Sequence, residues 1–123
     1  MKRDPVPTDG LKITLNQGEE VELLSLNGRL NIDSSPVLRT RFMAMLRGPS
    51  PKSIVVDLTD VSYIDVSGVA TLVEALKMAR KRRTDLRLKG LQGPPLHLFE
   101  VTGLLALFDP DGPEPASSAL KVT

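Results

Sequence analysis

The sequence contains no cysteine. That excludes a disulfide framework and a thiolate metal site, and it fits a reducing, cytoplasmic setting. Tryptophan is also absent, and one tyrosine and three phenylalanines are all the aromatics there are. Base-stacking platforms and aromatic ligand cages need more than that. No apolar run approaches the roughly 20 residues that cross a bilayer, so no membrane insertion is expected. The basic start of residues 1–10 is not followed by an apolar stretch, so it reads as a loose tail and not as a signal peptide. An excess of one charge is missing too. Sixteen Lys and Arg against fifteen Asp and Glu leave a formal net charge of +1, and such a field does not recruit nucleic acid. What remains is the composition of one soluble domain, 123 residues long, with a modest core.

Turn and period signals organise that domain. "LKITLNQ" alternates Leu11, Ile13 and Leu15 to one side, and "VELLSLNGRL" resumes after the turn "QGEE" with Val21, Leu23 and Leu26, which predicts a hairpin. Pro36 suits a first helical position with Ser35 as its cap, and Val37, Leu38, Phe42, Met45 and Leu46 follow at helical spacing until "GPSP". "KSIVVDL" is a short β-branched run, expected to be a buried strand ending in an acidic turn. A second helix is expected from about Ser67 to Arg82, with Val69, Leu72, Val73 and Leu76 as its apolar stripe and "RKRR" at its basic end. "LRLKG" reads as a strand, "PPLHLFEVTG" as a short helix and "LLALF" as a last strand; the Pro-rich tail after it is weakly helical at most. Strands alternating with helices give an α/β class, a mixed sheet of four to five strands with helices packed mainly on one face.

The stretch "VVDLTDVSYIDVSGVATLVEAL" poses the functional question, because it sets a lone hydroxyl, Ser67, where a helix begins. A hydrolase nucleophile would need a glycine two residues before the serine and a histidine base. The glycine is missing, and the single histidine, His97, sits between two leucines in a short helix. A P-loop would need more glycines and a lysine, and the dinucleotide fingerprint is absent. Asp57, Asp60 and Asp65 lack the spacing of a calcium loop and have no His or Cys companions, so turn chemistry accounts for them and no metal or cofactor is expected. The basic run 79–83 reads as a solvated helix end ahead of a nucleic-acid or lipid patch. For Ser67 itself the plain role is helix capping, which Asp65 could fill equally well.

The same stretch resembles the signature of the STAS domain, the fold of bacterial anti-sigma-factor antagonists. That pattern is an apolar strand ending in Asp-Leu, a linker with an aromatic, and Asp-Ser-Ser-Gly opening a helix. Ile54 to Leu58 match the strand, Tyr63 and Ile64 the apolar pair, and Asp65, Ser67 and Gly68 the Asp, second Ser and Gly. "LNGRLN" is similar to the family's Gly-Glu-Leu-Asp strand end, and "LKGLQGPPLHLFEVTGLLALF" to its closing segment, so the resemblance covers roughly residues 11–109. Val66 replaces the first serine of the pair, and Arg29 and Asn31 replace the Glu and Asp of the strand-end motif, in a loop that lies near the partner surface in the family.

The resemblance implies a switch and not an enzyme. An unmodified antagonist binds an anti-sigma factor, typically a serine kinase of the histidine-kinase-like ATPase fold. The kinase phosphorylates the serine matched by Ser67, the complex separates, and a serine phosphatase resets it. Gly68 would let a kinase backbone approach closely. From Ser67, residues Thr71, Glu74 and Met78 fall at helical spacing and are expected to form an exposed docking stripe with Asp65 and Gly68. The loop carrying Arg29, Asn31 and Asp33 is added from the family match. A STAS subunit of a lipid-transport ABC system is the alternative reading, and retention of the serine favours the first.

Overall fold

In the computed structural model residues 10–108 are described; the expected N-terminal tail, apart from its last residue, and the C-terminal tail 110–123 with its possible helix lie outside them. Strand β1 (Leu11–Gln17) turns through residues 18–20 into β2 (Val21–Leu30), where the Gly18 N–H donates to the Val21 carbonyl at 3.0 Å. Helix α1 (Ser35–Leu46), strand β3 (Ser53–Ile64), helix α2 (Val66–Lys81), strand β4 (Asp85–Lys89) and helix α3 (Gly93–Thr102) follow. The sheet order is β1-β2-β3-β4, with β1 antiparallel to β2 and the remaining neighbours parallel. Parallel neighbours need crossovers, and α1 and α2 supply them. The expected α/β class and mixed sheet are what the chain builds.

Three expectations change. The run "LLALF" is not a strand but a 3₁₀ turn, Leu105–Phe108. Gly103 takes the left-handed conformation at the end of α3, and the backbone then closes on itself, with Leu104 N–H bonding to the Phe99 carbonyl and Leu107 N–H to that of Leu104. Leu107 and Phe108 still reach the core, and Phe108 meets Phe99 edge to face at 5.9 Å. Next, β3 does not stop at an acidic turn after Leu58. It runs on to Ile64 through two irregularities in its pairing with β2, each admitting one extra residue on β3. Asp57 holds the first, its Oδ1 accepting from the Thr59 N–H at 3.0 Å and the Thr59 hydroxyl at 2.6 Å. Finally, β2 buries Leu24, Leu26 and Leu30, while Val21 is exposed and Leu23 half-buried, so its inward phase is shifted by one from the expected one in its first half.

One core runs through the domain. Leu24, Leu26, Ile54, Val56 and Leu58 from the sheet pack with Leu38 and Phe42 of α1 and Leu72, Ala75 and Leu76 of α2. Burying a side chain of this size contributes about 1.5–3 kcal/mol before entropy is counted. Residues from the start of α1 meet the start of α2, and residues from its end meet the end of α2, so the two helices run parallel. Both begin at the carboxyl ends of neighbouring strands, where Leu30 pairs with Ile64. That edge is where open α/β sheets place their sites.

Candidate functional site

Helix α2 opens on Asp65, whose extended backbone is that of a cap. Its Oδ1 accepts from the Gly68 N–H at 3.0 Å, its Oδ2 accepts from the Ile32 N–H at 3.2 Å, and its own N–H donates to the Leu30 carbonyl at 3.1 Å. The choice between Asp65 and Ser67 as cap is thereby decided for Asp65. Ser67 is the second residue of the helix, half-buried, and its hydroxyl has no hydrogen-bond partner among the described residues. Val66 before it is 70% exposed.

Gly68 is buried and faces inward, contrary to the expectation that it opens a path for a kinase backbone. A Cβ there would stand 2.8 Å from Ile64 Cγ1, Leu30 Cγ and the Leu30 oxygen. It is glycine because α2 comes down onto the strand ends at this point.

The loop before α1 is built by side chains. Asn31 Oδ1 accepts from the N–H groups of Asp33 at 3.0 Å and Ser34 at 3.1 Å. The hydroxyl of Ser34, fully buried, donates to the Arg29 carbonyl at 2.8 Å and accepts from the Asn31 N–H at 2.9 Å. The cap position therefore belongs to Ser34 and not to Ser35, which starts the helix; the Ser35 hydroxyl is buried without a partner. Asn31 organises this loop, Asp33 is exposed on it, and Arg29 lies with its guanidinium carbon 4.9 Å from the centroid of the Tyr63 ring.

The expected stripe along α2 is corrected. Thr71 is only 8% exposed, Glu74 is half-exposed, and Met78 packs against the core. The reason is α1, which covers this flank of α2. Arg39 of α1 reaches across with a two-pronged ion pair, Nε to Glu74 Oε1 at 2.9 Å and Nη2 to Oε2 at 3.0 Å. That contact holds the Arg39 guanidinium above its usual pKa. The buried arc of α2, from Gly68 through Ala79, is wider than the four-residue stripe read from the sequence, and Val73 is only half-buried.

The exposed apolar residues at this end of the sheet come instead from the loop before α1, the end of β3 and the first position of α2. Ile32 is 67% exposed, Tyr63 42%, and Val66 sits between the cap and the serine. Sequence reading missed Ile32 and Val66, since a lone exposed apolar residue in a loop or at a helix start carries no periodic signal. His97 is exposed on α3, and Asp60 is exposed on β3. Among the described residues no three His, Asp or Glu gather into a metal-ligand set, and no helix is long and apolar enough to cross a membrane.

The sequence model of the family described as Mlab, STAS domain, matches residues 13–108. An anti-sigma-B factor antagonist of Bacillus subtilis (strain 168) is 29% identical over 99 residues, which are 80% of this chain and 89% of the relative. Among solved structures, an anti-sigma factor antagonist from Mycobacterium paratuberculosis superposes with a TM-score of 0.69 at 21% identity, covering 82% of this chain and 85% of that one. The Bacillus cell fate determinant SpoIIAA in its phosphorylated form gives 0.63 at 17% identity, covering 76% and 85%. At these identities the two structures speak for the fold.

Proposed function

Because the chain belongs to the STAS-domain family, we propose that it acts as an anti-sigma-factor antagonist, a regulatory binding module that holds an anti-sigma factor until Ser67 is phosphorylated. The spare hydroxyl of Ser67 carries this reading. Asp65 does the capping and Gly68 the packing, so Ser67 has no structural task that would explain it. The Bacillus subtilis relative, named an anti-sigma-B factor antagonist, supports the same assignment. The docking face is redrawn around Ile32, Asp33, Tyr63, Val66 and Ser67, with Arg29 at its rim. The proposed partners are a serine kinase of the histidine-kinase-like ATPase fold and a serine phosphatase.

The chemistry is straightforward. The Ser67 oxygen attacks the γ-phosphorus of ATP held by the kinase, ADP leaves, and the hydroxyl proton passes to a base of the kinase. The product carries about 1.5–2 negative charges. The first turn of a helix leaves N–H groups unsatisfied and its dipole favours anions, so the free domain accommodates the phosphate. Against a partner packed on Ile32 and Val66 the same charge must shed its water, which costs on the order of several kcal/mol. Release follows without unfolding.

The test is a pull-down with a phosphate-affinity gel, using the cognate kinase with ATP. Wild type is expected to take up one phosphate and be released. Ser67→Ala should bind and resist release, and Ser67→Asp should fold but bind weakly. If wild type takes up no phosphate, or both forms bind alike, the switch reading fails. Docking on a lipid-transport permease or ATPase then becomes the better account.

A further inference from the structure

Building on the phosphorylation reading of Ser67, we propose that the groove between α1 and α2 is a phosphoryl-binding site in which Arg39 leaves Glu74 and takes the phosphate of modified Ser67. The groove, about 450 Å³, is lined by Ser67 and Thr71 from α2, by Ser35, Pro36, Arg39 and Thr40 from α1, and by Ile32 from the loop before α1. Arg39 is the one charged residue among those lining it. Four hydroxyls line the groove, those of Ser35, Thr40, Ser67 and Thr71, and none has a hydrogen-bond partner among the described residues. Ser67 is half-buried, and Ser35 is 6% exposed with a buried oxygen that bonds to nothing. A phosphate on Ser67 supplies three acceptor oxygens, and Arg39 and Ser35 supply donors that match them.

Arg39 is placed to choose between two anions on one helix. Ser67 and Glu74 are seven residues apart, two turns and about 10 Å along the axis of α2, on the same flank. Arg39 bonds to the lower anion and lines the groove that holds the upper one. Its pair with Glu74 is half-exposed on both sides, and such pairs are held weakly. A phosphate carries up to twice the charge of a carboxylate and offers the same two-pronged geometry. Transfer of Arg39 therefore follows modification, and it leaves Glu74 as an unpaired carboxylate two turns away. A partner meets a changed surface along the α1–α2 seam as well as at Ser67 itself.

The experiment installs phosphoserine at position 67 during synthesis, so it needs no kinase, and its outcome is separable from that of the kinase assay above. The second pKa of the phosphate is read by phosphorus NMR in the whole chain. It is expected to lie lower in wild type than in Arg39→Gln by about half a unit or more, because a nearby cation favours the dianion. Glu74→Gln, which removes the competitor, should lower it further, and Ser35→Ala should raise it. A variant-free measurement is the Arg39 Nε–H proton resonance, which should move between unmodified and phosphorylated wild type. Equal phosphate pKa values in wild type and Arg39→Gln, or an Arg39 signal that stays in place, overturns the proposal.

Discussion

The two helices that start side by side at the edge of the sheet use their serines in opposite ways. At the start of α1, Ser34 is fully buried, and its hydroxyl is committed to the Arg29 carbonyl and the Asn31 N–H. At the start of α2, the cap is a carboxylate, and the hydroxyl of Ser67 is left over. Serine at a helix start is thus no sign of a site. The informative observation is a serine whose capping work has been taken by a neighbour and which is not itself buried, as Ser35 is and Ser67 is not.

The largest effect should come from the residue that fits the second start to the sheet. Gly68→Ala forces a methyl group into contact with Leu30 and Ile64. Overpacking of this kind should cost about 3 kcal/mol, read as a lower urea midpoint with an unchanged slope. Ser34→Ala leaves a cavity at a fully buried position and strips the side-chain partner from the part-buried Arg29 carbonyl and Asn31 N–H, and it should cost about 2 kcal/mol by the same melt. Asp65→Ala removes a helix cap and should cost about 1 kcal/mol. Ser67→Ala should change stability by less than about 0.5 kcal/mol, since no hydrogen bond is lost. If Ser67→Ala proved as costly as Ser34→Ala, the contrast between the two starts would collapse.

The smallest effect is one of pH. Its hydrogen bonds to the Thr59 hydroxyl and N–H hold the Asp57 carboxyl below its ordinary value of 3.8. A carboxylate depressed in the folded state adds stability above the unfolded pKa, and that stability is lost as pH falls through the folded one. Wild type should therefore lose slightly more stability than Asp57→Asn on acidification from about pH 5 to 3. Parallel melts of the two proteins measure the difference.

Much of this was legible in the chain. The hairpin and the body of α2 have strong periods, and Ser67 stood out because nothing else in the sequence offered chemistry to go with it. The bulged second half of β3 was hidden because "TDVSY" carries turn residues, and only pairing with β2 keeps it extended. The fate of "LLALF" was hidden because a short apolar run does not distinguish strand from turn. Thr71 was misplaced for a tertiary reason: its burial comes from α1, which no local pattern in α2 encodes. The Arg39–Glu74 pair, 35 residues apart, was invisible on the same ground.

The double grip of Asp65 has a kinetic meaning. One carboxylate holds the N–H of Ile32 and that of Gly68, so the loop and the helix start are joined before any partner arrives. A surface assembled in advance has little ordering entropy to lose on contact. Encounter then runs at the rate of a rigid patch, about 10⁵–10⁷ M⁻¹s⁻¹. On that footing the proposed phosphate at Ser67 should shorten residence time far more than it slows arrival, and stopped-flow mixing of both forms with the proposed partner separates the two rates.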